Sequence, residues 1–398
     1  MRSKIFIFLL LVLLLLEVSF SMDEVKSITL VTKVFPEGEK VYAVVIEYAY
    51  EVDGNRLAPN IFEVESKIGN MGKRTVKRVY ANSDGRLVMN FFANRGRYVI
   101  IELDPKDMNA ITTYFDNNRF LTGRHKLEYL VTQKTDIYSI DGKKIPTFSL
   151  ENTHEKHLII DDFIAELYHD KELNVDLPYR LFIPKNTDSS KVYPLVVFLH
   201  GAGERGNDNY LPLAGNRGAI VWAEPGHQAE HPCFVLAPQC PPYSSWTGLI
   251  TGGNPFKANK ELLAVANLIK DLISKYNIDK NRIYITGLSM GGYGTFAILM
   301  EHPELFAAAI PICGGGDLNR VDRIKDIPMW VFHAEDDPLV PVFLSREIVR
   351  KLVDIGGKVK YTEFPKDYLE SIGYHPHASW VPAYESEEVV DWLFSNSK

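Results

Sequence analysis

The spacing of apolar and polar residues changes near residue 165 of this 398-residue chain. Upstream, short runs rich in Val, Ile, Tyr and Phe alternate with polar residues, as residues 42–48 do, and turn-type pairs such as Asp53-Gly54 separate the runs. No stretch there has the three- and four-residue apolar spacing of a long helix. Short strands joined by tight turns predict a β-sandwich over residues 22–162.

Downstream, strand patterns and helix patterns alternate. The predicted strands span residues 179–183, 195–200, 234–238, 283–287, 307–312, 329–333 and 359–364. The predicted helices span residues 259–276, 341–352 and 386–394, which carry apolar side chains at helical spacing. Several strands are apolar on both faces, which is typical of a parallel sheet covered by helices on both sides. The pattern predicts a doubly wound, mostly parallel α/β domain over residues 163–398.

The most informative motif is Gly287-Leu288-Ser289-Met290-Gly291, which joins a predicted strand to a predicted helix. At such a turn the serine adopts a strained backbone conformation that lifts its hydroxyl clear of the sheet. Glycines two residues away on either side allow neighbouring strands to approach closely. This context indicates the nucleophile elbow of an α/β hydrolase, with Ser289 as the nucleophile.

A serine that attacks a carbonyl needs amide donors for the oxyanion that forms. Met290 begins the helix after Ser289, so its N–H group is the first expected donor. The second is expected from the loop after an earlier central strand, where the chain passes through the small residues Gly201, Ala202 and Gly203. Ala202 is favoured as this second donor, and Gly203 is the alternative.

The acid and the base of the expected triad follow the serine in the chain order Ser, acid, His. Asp337 comes after the predicted strand 329–333 and is favoured over its neighbour Asp336, because adjacent carboxylates rarely both face inward. His377 lies in the loop before the last helix. It is favoured over His375, because His375 precedes a proline that restricts its backbone.

Substrate contacts are expected in loops that follow strands, where an α/β sheet forms its ligand crevice. Gly203, Trp246 and Trp380 are the candidates in such loops. No large apolar insertion resembles a lipase lid, which favours small esters over emulsified fats. The three cysteines lie on different predicted strands or at opposite ends of one, so we expect no disulfide, no metal site and no cofactor.

Charge and the N-terminus bear on partners and location. The formal net charge of −7 argues against a nucleic-acid partner, because phosphate binding requires a basic face. Arg2 and Lys4 precede an apolar run over residues 5–16, so residues 1–21 are typical of a signal peptide. The run is shorter than the roughly 20 residues that span a bilayer. We therefore expect cleavage, a secreted or periplasmic protein and no stable membrane insertion, with an uncleaved anchor as the alternative.

Four segments together resemble a known group of proteins. They are His-Gly-Ala-Gly-Glu-Arg-Gly (200–206), Pro-Cys-Phe-Val-Leu-Ala-Pro-Gln-Cys-Pro (232–241), Gly-Leu-Ser-Met-Gly-Gly (287–292) and His-Ala-Ser-Trp (377–380). They are similar to bacterial α/β-hydrolase esterases with an N-terminal immunoglobulin-like domain, which are related to feruloyl-esterase-like and polyhydroxyalkanoate-depolymerase-like hydrolases and are often labelled predicted peptidases. The resemblance implies an immunoglobulin-like fold for residues 22–162, the same triad, and a preference for short acyl chains.

Two other functions stay open from the sequence. A serine peptidase of the prolyl-oligopeptidase kind would use the same fold and triad, although residues 22–162 show no propeller repeat. A glycan-binding or adhesion protein would use the β-sandwich as its binding face. The favoured interpretation is an exported serine esterase that acts on a small-molecule ester. Assembly into a homo-oligomer and a glycan contact through the sandwich are left open.

Overall fold

The computed structural model describes residues 24–87, 94–185, 187–188 and 190–398, so the expected signal peptide lies outside the described residues. In these ranges, no helix is both long and apolar enough to cross a membrane. Contacts divide the chain into two compact units. Of the described residues, the sandwich unit comprises those from 24 to Lys33, Glu39–Tyr114 and Arg124–Leu158, and the hydrolase unit comprises Val34–Gly38, Phe115–Gly123 and Ile159–Lys398.

Two main sheets form the sandwich unit. One has the strand order His154–His157, Val25–Phe35, Gly38–Asp53, Arg95–Leu103 and Val76–Asn82. The other has the order Phe148–Glu151, Tyr129–Gln133, Phe62–Ser66 and Gly72–Lys73. Two short strand pairs are Ile137–Tyr138 with Lys144–Ile145, and Thr113–Asp116 with Leu121–Arg124.

Residues from both main sheets share one apolar core. Val44 and Ile46 of the first sheet and Val64 and Val131 of the second are fully buried in the same cluster. Successive side chains of a strand point to opposite faces, so alternate residues of each strand can enter a core between two sheets. The β-sandwich expected from the sequence is confirmed.

An eight-stranded sheet forms the centre of the hydrolase unit. Its strand order is Phe163–Asp170, Val175–Phe182, Phe234–Pro238, Tyr193–Leu199, Ile278–Leu288, Ala308–Ile312, Met329–Ala334 and Val359–Phe364. The first two pairings are antiparallel and the others are parallel. Strand order reverses at Tyr193–Leu199, and the carboxyl ends of strands at such a switch point form the ligand crevice of α/β proteins.

Both faces of this sheet are covered by helices. In the strand Tyr193–Leu199, Leu195 and Val197 face one apolar cluster, and Val196 and Phe198 face the other. The helices are Leu211–Ala214, Ile220–Ala223, Pro225–Glu230, Lys260–Lys275, Met290–Glu301, Phe343–Asp354, Tyr368–Ser371, Trp380–Tyr384 and Glu387–Phe394. Lys260–Lys275 packs in the first cluster and Glu387–Phe394 in the second, which confirms the doubly wound α/β fold.

Candidate active site

Ser289 lies at the turn between the strand Ile278–Leu288 and the helix Met290–Glu301, with φ of 54° and ψ of −119°. This region of φ/ψ space is strained for any residue with a side chain. A Cβ atom on Gly287 would lie 2.4 Å from the carbonyl oxygen of Gly291, and one on Gly291 would lie 1.9 Å from a neighbouring carbonyl oxygen. The close approach of backbone segments therefore requires glycine at both positions.

Ser289, His377 and Asp337 form one chain of hydrogen bonds. The Ser289 Oγ atom lies 3.0 Å from Nε2 of His377, and Nδ1 of His377 lies 2.7 Å from Oδ2 of Asp337. An ionised carboxylate only accepts, so Nδ1 of the neutral imidazole carries the proton and Nε2 can accept from the serine hydroxyl. The structure thus brings together the three side chains that the sequence nominated.

Hydrogen bonds hold the Asp337 carboxylate in place. The N–H groups of Leu339 and Val340 each donate to Oδ1 at 2.9 Å, and Nε2 of His333 lies 3.3 Å from Oδ2. Burial opposes ionisation, but hydrogen bonds from His333 and His377 outweigh it and hold the pKa of Asp337 well below its ordinary range. Asp337 is therefore a carboxylate at neutral pH, aimed at the imidazole by its surroundings.

The two runner-up residues have other partners. Asp336 accepts from the N–H of Asp367 at 2.8 Å. His375 is exposed, and its Nδ1 accepts from the N–H of His377 at 3.1 Å. Neither side chain takes part in the hydrogen-bond chain with Ser289, so the preference for Asp337 and His377 agrees with the geometry.

Three backbone amides near Ser289 are free to donate. Within the described ranges, the N–H groups of Ala202, Gly203 and Met290 have no protein acceptor, and all three residues border the same cavity as Ser289. Unpaired amides beside a nucleophile are what a developing oxyanion requires. Ala202, Gly203 and Met290 are therefore each available for the donor roles expected from the sequence.

His200 fixes the peptide that carries the Ala202 N–H. The N–H of Cys240 donates to Nε2 of His200 at 3.0 Å, and Nδ1 of His200 donates to the carbonyl oxygen of Gly201 at 2.6 Å. In a trans peptide the N–H points away from the C=O, so the Ala202 N–H is directed away from His200. Burial lowers the pKa of His200 to about 3, which keeps this imidazole neutral.

Trp246 does not occupy the position expected for a substrate contact. Its side chain is fully buried and its Nε1–H donates to the carbonyl oxygen of His200 at 3.0 Å. It is absent from the residues that border the cavity at Ser289. The assignment of Trp246 is therefore corrected: its loop folds inward, and the indole supports the segment that precedes Ala202.

Arg205 joins three loops around the same segment. Its Nε–H donates to the carbonyl oxygen of Ala202 at 2.8 Å, and its Nη1 atom donates to those of Pro242 and Ser244 at 3.1 and 3.3 Å. Its Nη2 atom donates to the carbonyl oxygen of Phe120 at 3.1 Å. Burial lowers the pKa of this guanidinium. Since all these acceptors are backbone carbonyls, Arg205 serves to fix loop positions.

A cavity of about 720 Å³ opens at Ser289. Its large apolar lining residues are Phe115, Phe120, Leu249, Ile250, Leu288, Met290, Leu339, Val340 and Trp380. Gly203 also borders the cavity, and the Trp380 ring meets the His377 ring edge to face, with centroids 5.2 Å apart. The structure thus brings two of the three predicted substrate contacts, Gly203 and Trp380, to the nucleophile. An apolar cavity beside an activated serine suits the apolar part of an ester.

Comparisons with known proteins agree with this site. A family model described as the esterase Ig-like N-terminal domain matches residues 27–146, and one described as the prolyl oligopeptidase family matches residues 257–340. A solved structure described as a thermostable esterase is 59% identical, with a TM-score of 0.92 over 94% of this chain and 100% of that chain. The chain belongs to the α/β-hydrolase esterases that carry an immunoglobulin-like N-terminal domain.

The esterase also resembles curated proteins over shorter stretches. It is 29% identical to poly(3-hydroxyalkanoate) depolymerase C of Paucimonas lemoignei over 125 residues, and 27% identical to a probable feruloyl esterase C of Aspergillus terreus over 180 residues. It is 29% identical to acetylxylan esterase A of Aspergillus ficuum over 212 residues. These matches cover 31%, 45% and 48% of this chain, and 28%, 62% and 64% of the relatives, less than two thirds of each.

Sequence reasoning missed the part of the esterase's cavity formed by residues Phe115–Gly123. Phe115, Arg119 and Phe120 border the cavity, yet they lie in sequence within the predicted sandwich domain. The available signal was a pair of aromatic residues on either side of the turn-type run Asp116-Asn117-Asn118. Exposed aromatic residues at a hairpin tip are a feature of binding surfaces.

Two groups of side chains in the described part of the esterase have ligand atoms close enough for a metal ion. One is Cys313 with Asp337 and His377, and the other is Glu230 with His231 and Asp391. In the first group, Asp337 and His377 already bind each other, and burial raises the pKa of the Cys313 thiol, which disfavours a thiolate ligand. Cys313 instead accepts from the N–H of Ser289 at 3.3 Å. All three cysteines are free thiols.

Proposed function

We propose that the chain hydrolyses short-acyl carboxylic esters through Ser289, His377 and Asp337, with an acyl-enzyme intermediate. Ala202 and Met290 supply the oxyanion donors. The observation that carries this proposal is the Ser289–His377–Asp337 hydrogen-bond chain at the mouth of an apolar cavity. The unpaired backbone N–H groups beside Ser289 can donate hydrogen bonds to the oxyanion that forms there.

The reaction follows from the proton positions. Ser289 Oγ attacks the ester carbonyl carbon while Nε2 of His377 takes the hydroxyl proton, and the carbonyl oxygen becomes an oxyanion. Asp337 keeps Nδ1 protonated and stabilises the imidazolium. His377 then gives the proton to the departing alkoxide, so the alcohol leaves and the acyl group stays on Oγ. Water repeats the sequence and releases the acid.

Replacing Ser289 by alanine tests the proposal. Ser289→Ala should lower kcat for 4-nitrophenyl acetate by at least about a thousandfold, because the nucleophile is removed while the fold is kept. An alkyl fluorophosphonate should phosphonylate Ser289 Oγ of the wild type with loss of fluoride, adding the mass of the reagent less HF, and leave the variant unlabelled. Ser274→Ala, an exposed serine at a helix end, is the matched control. Undiminished turnover by Ser289→Ala would exclude this mechanism.

The substrate range is proposed from the relatives and the cavity. The names of the curated relatives point to acetyl, feruloyl and hydroxyalkanoate esters, and a cavity of about 720 Å³ exceeds what an acetyl group fills. We expect kcat/KM to be highest for short and medium acyl chains. A series of 4-nitrophenyl esters of increasing acyl length, with methyl ferulate and an acetylated xyloside beside it, measures this. A continuous rise toward the longest chains would contradict it.

Amide hydrolysis is the second candidate, since the prolyl oligopeptidase model matches residues 257–340. That match contains Ser289 and Asp337 and ends before His377. Ester and amide substrates with the same acyl group would separate the two activities. Comparable kcat/KM values for the amide would favour the peptidase.

Export is proposed from the sequence of residues 1–21, which lie outside the described ranges. The mature protein is expected to begin near residue 22. N-terminal sequencing of protein purified from the expressing cells tests this, and an intact N-terminus would contradict it.

A further inference from the structure

Residues Phe115–Gly123 form a hairpin tip that is fixed against the loop carrying the Ala202 amide. The N–H of Thr122 donates to the carbonyl oxygen of Gly203 at 2.7 Å, and Arg205 donates to the carbonyl oxygen of Phe120 at 3.1 Å. Both bonds lie within the hydrolase unit. The tip therefore has a defined position at the cavity.

The turn at the tip also has a defined conformation. Oδ1 of Asp116 accepts from the N–H groups of Asn118 and Arg119 at 3.0 and 3.3 Å, which caps the turn from inside. Phe120 follows with φ of 52°, and its ring meets that of Phe115 edge to face, with centroids 5.2 Å apart. These contacts fix the backbone on both sides of Arg119.

Arg119 is exposed, borders the cavity and lacks an acidic partner. Within the ranges that the structure describes, its guanidinium makes no ion pair or side-chain hydrogen bond. The nearest acidic residue along the turn, Asp116, directs its carboxylate at backbone amides. A cation with no internal acceptor is available to an anion that enters the cavity.

The other titratable groups at the cavity do not neutralise the positive charge of Arg119. Burial raises the pKa of Glu204, which favours its neutral form, and its Oε1 accepts from Nδ2 of Asn216 at 3.1 Å. Arg205 is buried and donates to backbone carbonyls. Apart from His377, whose Nδ1 binds Asp337, the remaining large lining residues are apolar. Arg119 is thus the exposed charge beside an otherwise apolar cavity, within the described residues.

We propose that Arg119 selects esters that carry a carboxylate at the end remote from the scissile bond. This inference rests on the proposed esterase function and names its substrate class: half-esters of dicarboxylic acids, or esters of a carboxylate-bearing alcohol or phenol. The apolar stem of such a substrate lies along the aromatic lining, its ester carbonyl lies at Ser289, and its carboxylate binds the guanidinium.

The test compares matched neutral and anionic substrates. The acyl-side pair is 4-nitrophenyl hexanoate and mono-4-nitrophenyl adipate, and the leaving-group pair is 4-nitrophenyl acetate and 3-carboxy-4-nitrophenyl acetate. In Arg119→Gln, the kcat/KM ratio of anionic to neutral substrate should fall by about threefold to tenfold in one pair, chiefly through KM. The pair that responds identifies which part of the ester faces Arg119.

Two controls separate a specific contact from bulk charge. Arg119→Lys keeps the charge and should retain most of the preference, whereas Arg350→Gln removes an exposed charge elsewhere and should leave the ratio unchanged. Raising the ionic strength from about 0.01 M to about 1 M shortens the Debye length from about 30 Å to about 3 Å, and should lower the ratio in the wild type more than in Arg119→Gln.

The two proposals can fail separately. Equal ratios for wild type and Arg119→Gln in both pairs would overturn the role of Arg119 and leave the hydrolysis of neutral esters intact. Loss of the neutral-ester reaction's dependence on Ser289 would instead overturn the proposed esterase mechanism.

Discussion

Arg205 is a buried cation whose hydrogen-bond acceptors are backbone carbonyls. It holds the Ala202 carbonyl, and through that peptide it also sets the direction of the Gly203 N–H. A guanidinium presents five N–H donors in a fixed plane, so it can hold several loops in one relative position. A lysine at the same place offers one ammonium centre and cannot reach all four carbonyls with the same geometry.

We predict that Arg205→Lys lowers kcat by about tenfold to a hundredfold with a small change in KM, because a residue Ala202 whose carbonyl is no longer held can shift, and its misplaced N–H donor then weakens transition-state binding selectively. Affinity for a boronic acid that forms a tetrahedral adduct should fall in parallel with kcat. The surface variant Arg350→Lys is the control. If Arg205→Lys lowered the thermal midpoint but left kcat and boronate affinity unchanged, Arg205 would have only a structural role.

At the residue scale, chain order was the decisive signal in the sequence. Ser289, Asp337 and His377 follow the order of an α/β hydrolase, and their side chains lie in one hydrogen-bond chain. Trp246 could not be placed, because loop position does not reveal whether an indole faces a cavity or the core. The role of Arg205 could not be predicted either, since its hydrogen-bond acceptors lie in loops distant in sequence.

The nucleophile elbow is the element in which sequence and backbone strain are most tightly connected. The helix Met290–Glu301 packs so closely on its neighbours that a Cβ atom on Gly291 would lie 1.9 Å from the carbonyl oxygen of Leu199. Real Cβ atoms do not approach oxygen this closely, so a side chain there must displace the helix or the strand. Either displacement moves Ser289 and the amide of Met290 together.

We predict that Gly291→Ala destabilises the protein by about 3 kcal/mol or more and lowers kcat by at least about a hundredfold, as overpacking at a strained turn does. Urea unfolding and kcat for 4-nitrophenyl acetate measure the two effects. Gly226→Ala is the matched control, because no atom lies within 4 Å of a Cβ atom there and alanine favours its helix. Wild-type stability in Gly291→Ala would contradict the steric argument.

Most elements of the hydrolase unit could be predicted because their sequences carry β-type residues in short runs or apolar residues at helical spacing. The strands Phe234–Pro238 and Val359–Phe364 have the predicted bounds, and the helix Lys260–Lys275 differs by one residue at each end. The strand Phe163–Asp170 was not predicted, because most of its side chains are exposed and it lacks an apolar run. Backbone pairing with Val175–Phe182 holds Phe163–Asp170 in the sheet as a strand, although its own sequence does not indicate one.

At the scale of the whole molecule, membership of the two units does not follow chain order. Residues Val34–Gly38 and Phe115–Gly123 group with the hydrolase unit, although sandwich strands precede and follow them in sequence. A change of sequence pattern marks one boundary along the chain. It cannot reveal that short segments on one side of this boundary belong to the unit on the other side. For this reason the composition of the cavity wall could be learned only from three-dimensional contacts.

Buried titratable groups also make the stability of the molecule depend on pH. Burial lowers the pKa of His200 to about 3, below the ordinary value of about 6.5 for a histidine. As pH falls below about 6.5, His200 is protonated in the unfolded chain but stays neutral in the folded protein. The free energy of unfolding therefore decreases with falling pH until about pH 3, where folded His200 also takes up a proton. Glu204 acts in the opposite direction, since burial raises its pKa and its folded form keeps a proton at higher pH.

The free energy of unfolding of the wild type should decrease as pH falls from about 6 to about 4. We predict that His200→Gln reduces the slope of this decrease by up to about 1.4 kcal/mol per pH unit. Glutamine can still accept from the Cys240 N–H and donate to the Gly201 carbonyl, so the variant retains both partners of His200. All five tryptophans lie in Ile159–Lys398, so urea unfolding followed by their fluorescence reports on the hydrolase unit. His169→Gln, which removes an exposed imidazole, should keep the wild-type slope. Equal slopes for His200→Gln and wild type would show that His200 does not resist protonation in the folded protein.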